Sequence, residues 1–139
     1  MPKTTLQARV EDIRERMRAA GDHGQVTLMA AVKYATAEQI NELHATCGID
    51  DIGENRVQQL LEHYEKLADR DNLRIHFIGS LQKNKVKYIV DKVCMIHSLD
   101  SLSLAEEIEK RCRAIGRVMD VLVEINVALY EFDQPLLGG

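Results

Sequence analysis

The sequence has no tryptophan, and aromatic residues make up only 4% of its 139 residues. Its apolar runs are all far shorter than the roughly 18 residues that a membrane-spanning helix needs. The three cysteines, Cys47, Cys94 and Cys112, form no C-x-x-C pair, so neither a disulfide framework nor a metal site is predicted. Positive charge is not in excess, because the formal net charge is -4, which disfavours a broad nucleic-acid surface. We therefore expect a cytoplasmic protein that binds neither membranes nor nucleic acid.

Several well-known active-site motifs are also absent from the sequence. It contains no G-x-G-x-x-G, no G-x-x-x-x-G-K-[ST], no H-E-x-x-H and no G-x-S-x-G. Dinucleotide binding, P-loop nucleotide hydrolysis, zincin chemistry and serine-hydrolase chemistry therefore lose their support. What the sequence does have is 45% hydrophobic and 29% charged residues, which suits one globular domain with a substantial core.

Apolar periodicity predicts a regular alternation of helices and short apolar strands. The predicted helices are 4–20, 37–46, 54–68, 83–90 and 102–115, and the predicted strands are 26–32, 49–52, 73–78, 93–96 and 118–127. This alternation is typical of parallel βαβ units, and therefore of the α/β class. The length favours a five-stranded doubly wound sheet, since a closed (β/α)8 barrel typically takes about 250 residues. In both architectures ligands bind at the carboxyl ends of the strands.

Three residues near the predicted strand ends are candidates for chemistry, and each also has a purely structural interpretation. Lys33 follows the most apolar strand, where lost hydration would make its amine a nucleophile toward aldehydes; the alternative is a solvated lysine. Asn55, in Gly53-Glu54-Asn55, offers an amide to a ligand above the sheet, or else belongs to an ordinary helix start. His76 lies inside an apolar strand, where it either binds a heteroaromatic cofactor or serves as a core residue.

Two further segments are polar without indicating a site. Lys83, Lys85, Lys87 and Lys92 form the one basic cluster, which either attracts an anion or is a solvated face. The segment His97-Ser98-Leu99-Asp100-Ser101 contains several residues that cap helices, and we interpret it as structural. Spacing and composition alone therefore predict a ligand site at the strand ends without identifying the ligand.

Four segments of the sequence closely resemble the pyridoxal phosphate homeostasis protein family. They are Ala31-Val32-Lys33, then residues 51–58 (DIGENRVQ), then 76–85 (HFIGSLQKNK), then 96–101 (IHSLDS). The third is the most specific, and all four occur in the family's order over about residues 28–127. The resemblance implies a (β/α)8 barrel like the N-terminal barrel of alanine racemase, in which pyridoxal 5'-phosphate (PLP) forms a Schiff base with Lys33. It also implies that Asn55 and His76 line the cofactor ring.

The resemblance further implies a monomeric protein that contains PLP for vitamin B6 homeostasis, with no catalytic residue and no turnover reaction. Family members run to roughly 220 to 240 residues, so we expect one domain, 1–139, with a helix (4–20), a partial barrel (26–127) and a divergent tail (128–139). Two alternatives stay open. One is a fragment that binds no PLP alone or needs a partner chain, with self-association through open strand edges; the other is a PLP-dependent amino-acid racemase.

Overall fold

A computed structural model describes residues 5–125 and residue 127, and its central feature is a sheet of five parallel strands. The strands are β1 (Met29–Ala31), β2 (Asp51–Glu54), β3 (Arg74–Phe77), β4 (Met95–Leu99) and β5 (Asp120–Val123). The helices are α1 (Leu6–Ala19), α2 (Ala37–Ala45), α3 (Val57–Tyr64) and α4 (Leu102–Ala114), with 3-10 helices at Arg70–Asn72 and Lys83–Tyr88. The predicted alternation of helix and strand, and with it the α/β class, is confirmed.

Strand order decides between the two architectures that the sequence left open. The order in the sheet is β1-β2-β3-β4-β5, and every neighbouring pair is parallel. A doubly wound sheet reverses its strand order at a switch point, whereas a (β/α)8 barrel adds each strand beside the one before it. The described residues therefore have the strand arrangement of part of a (β/α)8 barrel, and the doubly wound alternative is wrong.

The core lies on one face of the sheet, between the strands and the helices. Successive residues of a strand point to opposite faces, and alternate residues of β2, β3 and β4 are fully buried against the helices. They include Ile52, Ile75, Phe77 and Ile96, packed against helical residues such as Ile40, Leu60, Val86 and Ile108. The other face of the same strands carries the polar residues of the candidate site. We call it the inner face, because it would line the inside of a closed barrel.

The structure corrects two local expectations. The continuous apolar run 26–32 predicts a strand buried on both faces, yet Ala31 is exposed and Met29 is half-buried, because β1 is the sheet's edge and none of the described helices covers its inner face. Residues 83–90 form a 3-10 helix over Lys83–Tyr88 instead of an α-helix.

The proposed tail, 128–139, lies outside the described residues, so the division of the chain into domains stays a prediction. None of the helices described is long and apolar enough to cross a membrane.

Candidate functional site

The sheet register places the predicted site residues at neighbouring levels of adjacent strands. Ala31 lies beside Gly53, and Gly53 lies beside His76. Two residues further along their chains, Lys33 and Asn55 follow at the next level, beyond the carboxyl ends of β1 and β2. Lys33 is exposed, whereas Asn55 and His76 are half-buried. The three positions therefore occupy the end of the sheet at which barrels of this kind bind ligands.

Lys33 is more open to solvent than the sequence-based argument assumed. Its ammonium lies 5.3 Å from the centre of the Tyr34 ring, and Tyr34 itself is 88% exposed. A cavity of about 450 Å³ adjoins Lys33, with Arg56 and Glu62 among its lining residues. The expected desolvation of the amine is thus wrong for the described residues, because the inner face beside β1 is uncovered. What the geometry does provide is an accessible primary amine at the end of a strand.

His76 is the centre of a polar network on the inner face. Its Nε2 lies 2.8 Å from Asp51 Oδ2, and its Nδ1 lies 3.0 Å from His97 Nε2. Asp51 also accepts two hydrogen bonds from the Arg74 guanidinium, at 2.9 and 2.6 Å. Both ring nitrogens of His76 are therefore engaged by protein groups. Its ring can pack against a ligand, but it has no nitrogen left for a heteroaromatic cofactor.

The network fixes which nitrogen of His97 is available. With neutral rings, His76 Nε2–H donates to the Asp51 carboxylate, so His76 Nδ1 accepts from His97 Nε2–H. His97 Nδ1 is then left as a hydrogen-bond acceptor. Burial is the larger cause that lowers the pKa of His97, and the neighbouring imidazole of His76 acts in the same direction, which favours neutral His97. In the sheet register, Phe77 pairs with Glu54 on one side and with Ile96 on the other, so these three residues lie at one level. Asn55 and His97 are the next residues along their chains, so they share the next level.

Sequence reasoning interpreted the segment containing His97 as structural, and the structure confirms this for Ser101. Ser101 caps α4, since its hydroxyl accepts a hydrogen bond from the Leu104 N–H at 3.1 Å. His97 belongs instead to the inner-face network. The signal that could have found it is the alternation in β4, where Met95, His97 and Leu99 alternate with the buried Ile96 and Ser98.

We predict that the Asp51 carboxylate makes the free energy of unfolding depend on pH in the acidic range. Burial alone would raise its pKa, but hydrogen bonds from Arg74 and His76 outweigh burial, so the pKa is lowered. A lowered pKa adds stability above the unfolded value of about 3.9, and that stability is lost as pH falls through the folded value. Since the Arg74 side chain is 57% exposed, Asp51→Asn should cost only about 1 kcal/mol at pH 7.

Urea unfolding from pH 7 to pH 3 measures this effect. The gap between the wild type and Asp51→Asn should narrow as the pH falls. Asp50→Asn is the matched control, because the neighbouring Asp50 carboxylate is 53% exposed and contacts only His44 among the ion pairs described. Equal losses in the two variants at pH 7, or a gap that does not change with pH, would contradict the assigned role of Asp51.

The predicted helix 54–68 would begin at Glu54, but Glu54 lies instead in the buried layer between the sheet and the helices. It is the last residue of β2 and only 1% exposed. Its Oε2 lies 2.7 Å from Nδ1 of the buried His63, and Nε2 of His63 lies 2.9 Å from the Ala35 carbonyl oxygen. Burial raises the pKa of the Glu54 carboxyl, and the contact with His63 offsets this only in part. Sequence reasoning missed this pair, because its two members are brought together only by the packing of α3 on the sheet.

Two glycines are needed because other groups approach them closely. A Cβ at Gly53 would lie 2.8 Å from Cδ1 of Ile78, and a Cβ at Gly79 would lie 2.0 Å from the Asn55 carbonyl oxygen. Gly53 lies within β2, where the missing side chain makes room for Ile78. Gly79 lets the segment after β3 reach the backbone of Asn55, which helps to define the position of that candidate.

The remaining candidates from the sequence have structural surroundings. Lys83, Lys85 and Lys87 are exposed on the 3-10 helix, as a solvated face would be. Lys92 contacts the Asp91 carboxylate and the Tyr64 ring. Cys47, Cys94 and Cys112 are free thiols whose pKa values are raised by burial. Over residues 5–125 and 127, no cluster of three or more His, Cys, Asp or Glu residues is placed to hold a metal.

Comparison with known proteins gives consistent matches to one family, although no protein-family model matches the chain. The chain is 49% identical over 110 residues to a pyridoxal phosphate homeostasis protein of Aquifex aeolicus, covering 79% of this chain and 47% of the relative. It is 36% identical over 127 residues to a protein of the same name from Helicobacter pylori, covering 91% of this chain and 56% of the relative. The chain thus spans about half the length of the curated relatives that it matches.

A solved structure shares both the fold and the sequence similarity. PipY of Synechococcus elongatus PCC7942, determined with PLP bound, superposes with a TM-score of 0.75 at 31% identity. The match covers 84% of this chain and 54% of PipY. The resemblance to the pyridoxal phosphate homeostasis protein family that the four sequence segments indicate is therefore confirmed.

Proposed function

We propose that this chain binds PLP as a Schiff base on Lys33 and contributes to PLP homeostasis without a turnover reaction. The observation that carries the proposal is an accessible lysine amine at the carboxyl end of β1, in a sheet that superposes on a PLP-binding protein. The homeostasis proteins named among the relatives support the same role. Because the chain matches only about half of each relative, the activity of the complete proteins is part of this proposal.

PLP supplies an aldehyde that condenses reversibly with a primary amine. Lys33 would hold PLP through its Nζ, which in the neutral form would add to the aldehyde carbon; the aldehyde oxygen would leave as water, with no net oxidation or reduction. We propose that Asn55 contributes its amide to the ring and that His76 contributes ring packing, because both nitrogens of His76 already have partners. We add His97, whose Nδ1 is an acceptor at the level of Asn55, as a further candidate for contact with the ring.

We favour a storage role over the racemase alternative because a racemase needs an additional catalytic group besides the lysine. Racemisation requires a second acid or base positioned across the substrate α-carbon from the lysine. Both nitrogens of His76 are already hydrogen-bonded to Asp51 and His97, so His76 is not available as that second group. We therefore propose no catalytic residue for this chain.

The test is a titration of the purified chain with PLP, followed by borohydride reduction and peptide mapping. A saturable visible absorbance band and a reduced label on the Lys33 peptide alone would support the proposal. A label that spreads over Lys83, Lys85 and other exposed lysines would overturn it, and would favour the fragment alternative. Exchange of the α-proton of added alanine into deuterated solvent would instead favour the racemase.

The proposal also covers the cellular compartment and the interaction partners of the protein. Three free cysteines suit a reducing compartment, and we propose the cytoplasm. Binding to nucleic acid or to a membrane is not part of the proposed role. Within the described residues β1 and β5 are the two edge strands, so self-association through these edges stays a prediction that sedimentation can check.

A further inference from the structure

The segment that carries Lys33 is held from one side by helix α3. Between β1 and α2, the carbonyl oxygens of Lys33 and Ala35 both accept hydrogen bonds from α3 side chains. Nε2 of Gln59 donates to the Lys33 carbonyl at 2.7 Å, and Nε2 of His63 lies 2.9 Å from the Ala35 carbonyl. Gln59 and His63 are four residues apart, so they project from the same side of the helix one turn from each other. We call these two contacts the α3 clamp.

The proton positions in the clamp follow from the chemistry of its partners. A carbonyl oxygen can only accept, so Nε2 of His63 must carry a hydrogen to bond Ala35. The contact of 2.7 Å between Nδ1 of His63 and Glu54 then also needs one proton, from either the carboxyl group or the imidazole. Without that proton, a lone pair would face a carboxylate. Glu54 therefore holds the ring of His63 in the orientation that reaches the loop.

The clamp acts on the backbone of Lys33 and leaves its amine free. The side chain is exposed, and its described contact is with the Tyr34 ring. Fixing the backbone on both sides of Tyr34 limits where the Lys33 Cα can lie, so the flexible side chain samples a smaller volume. Reaction of the amine with an aldehyde that is itself held at the site benefits from such restriction, because part of the orientational entropy is lost on folding instead of at the reaction.

We propose that Gln59 and the Glu54–His63 pair are positioning residues for Lys33, raising its equilibrium constant for imine formation with an aldehyde ligand. This inference rests on the proposed function, since it concerns the same amine. Gln59 and His63 act through the Lys33–Ala35 backbone, and Glu54 acts through His63.

Gln59→Met tests the first half of the clamp, because methionine keeps the length and helix propensity but removes the donor. The matched control is Gln58→Met, since Gln58 and Gln59 both line the cavity beside Lys33, but Gln58 bonds Glu62 and not the Lys33 loop. We expect the imine constant with PLP to fall about five-fold in Gln59→Met, the equivalent of one lost hydrogen bond, and to stay within about two-fold of wild type in Gln58→Met. Equal constants in the two variants would overturn the inference.

Glu54 provides the second test, with a conservative rescue. In Glu54→Gln the amide N–H can donate to Nδ1 of a neutral His63, which keeps Nε2–H on Ala35, so the imine constant should be retained. Glu54→Met removes this partner and should lower the constant to the level of Gln59→Met. Both variants are compared only at temperatures at which circular dichroism shows them folded. Loss of the imine in Glu54→Gln, or its retention in Glu54→Met, would contradict the inference.

Reductive methylation separates positioning from general loosening of the fold. Formaldehyde and borohydride label every accessible lysine, and the rate at Lys33 is compared with that at the exposed Lys85 of the same molecule. Formaldehyde is not held at the site, so loss of positioning should leave this ratio unchanged while the imine constant with PLP falls, whereas loosening of the fold would raise labelling at all lysines. If the wild type forms an imine on Lys33 but the imine constant is unchanged in Gln59→Met, only the inference fails. If the wild type forms no imine on Lys33, the proposed function fails and the inference with it.

Discussion

Lys33→Ala is expected to abolish the saturable absorbance band that PLP produces with the wild-type chain. The variant removes the one amine that the strand order places at the carboxyl end of β1, and a Schiff base cannot form without it. Residual non-covalent binding should be weaker by at least about ten-fold, which corresponds to about 1.4 kcal/mol. Because Lys33 is exposed, the substitution should leave the urea midpoint nearly unchanged.

Two companion variants make this result specific. Lys33→Arg keeps the positive charge but cannot condense with an aldehyde, so it should lose the band as completely as alanine does. Lys85→Ala removes an exposed lysine from the 3-10 helix and should leave the band intact. A band that survives in Lys33→Ala, or that disappears equally in Lys85→Ala, would show that PLP reacts with surface amines in general.

Phe77→Ala is expected to have the largest effect on folding. Phe77 is fully buried between the sheet and the helices, and removing its ring leaves a cavity in the core. Such substitutions cost about 3–5 kcal/mol, a large share of the roughly 5–15 kcal/mol that stabilises a typical domain. Urea unfolding followed by circular dichroism should show the transition shifted strongly to lower urea, or already absent in water.

His76→Ala provides the contrast, because His76 precedes Phe77 but faces the opposite side of the sheet. It removes contacts to Asp51 and His97, while Asp51 keeps its two bonds from Arg74, so we expect a cost of about 1 kcal/mol. The same variant should weaken PLP binding, which Phe77→Leu should not do if it remains folded. Similar losses of stability in Phe77→Ala and His76→Ala would contradict the assignment of the two faces.

Local patterns were sufficient for much of the architecture. Short apolar runs separated by amphipathic segments predicted each of the described strands. A strand that packs against helices needs apolar residues, whichever strands are its neighbours in the sheet. The boundaries were less accurate: the predicted strand 118–127 is observed as Asp120–Val123, and the predicted helix 54–68 as Val57–Tyr64. Residue patterns define where apolar segments lie, but the last residues of each element depend on hydrogen bonds to neighbouring elements.

Site residues could be predicted from the sequence only where their position at the end of a strand was sufficient to identify them. Lys33 and Asn55 follow apolar runs, and ligand sites of parallel sheets lie at those ends, so both were identified from sequence. Asp51, Glu54, His63 and His97 were not identified, because each acquires its role from a partner at least 9 positions away in sequence. Such pairs depend on strand register and helix packing, which no local pattern contains.

The amino-acid sequence by itself determined the α/β class, the alternating elements, the amine at the end of the first strand and the resemblance to PLP homeostasis proteins. Only the tertiary structure decided that the strands follow one another in order, that His76 has no free ring nitrogen, and that Glu54 and His63 reach the Lys33 loop. The physical reason is one of range. Backbone propensity and apolar periodicity act over a few residues, whereas hydrogen bonds between side chains exist only once separate strands and helices have been packed together.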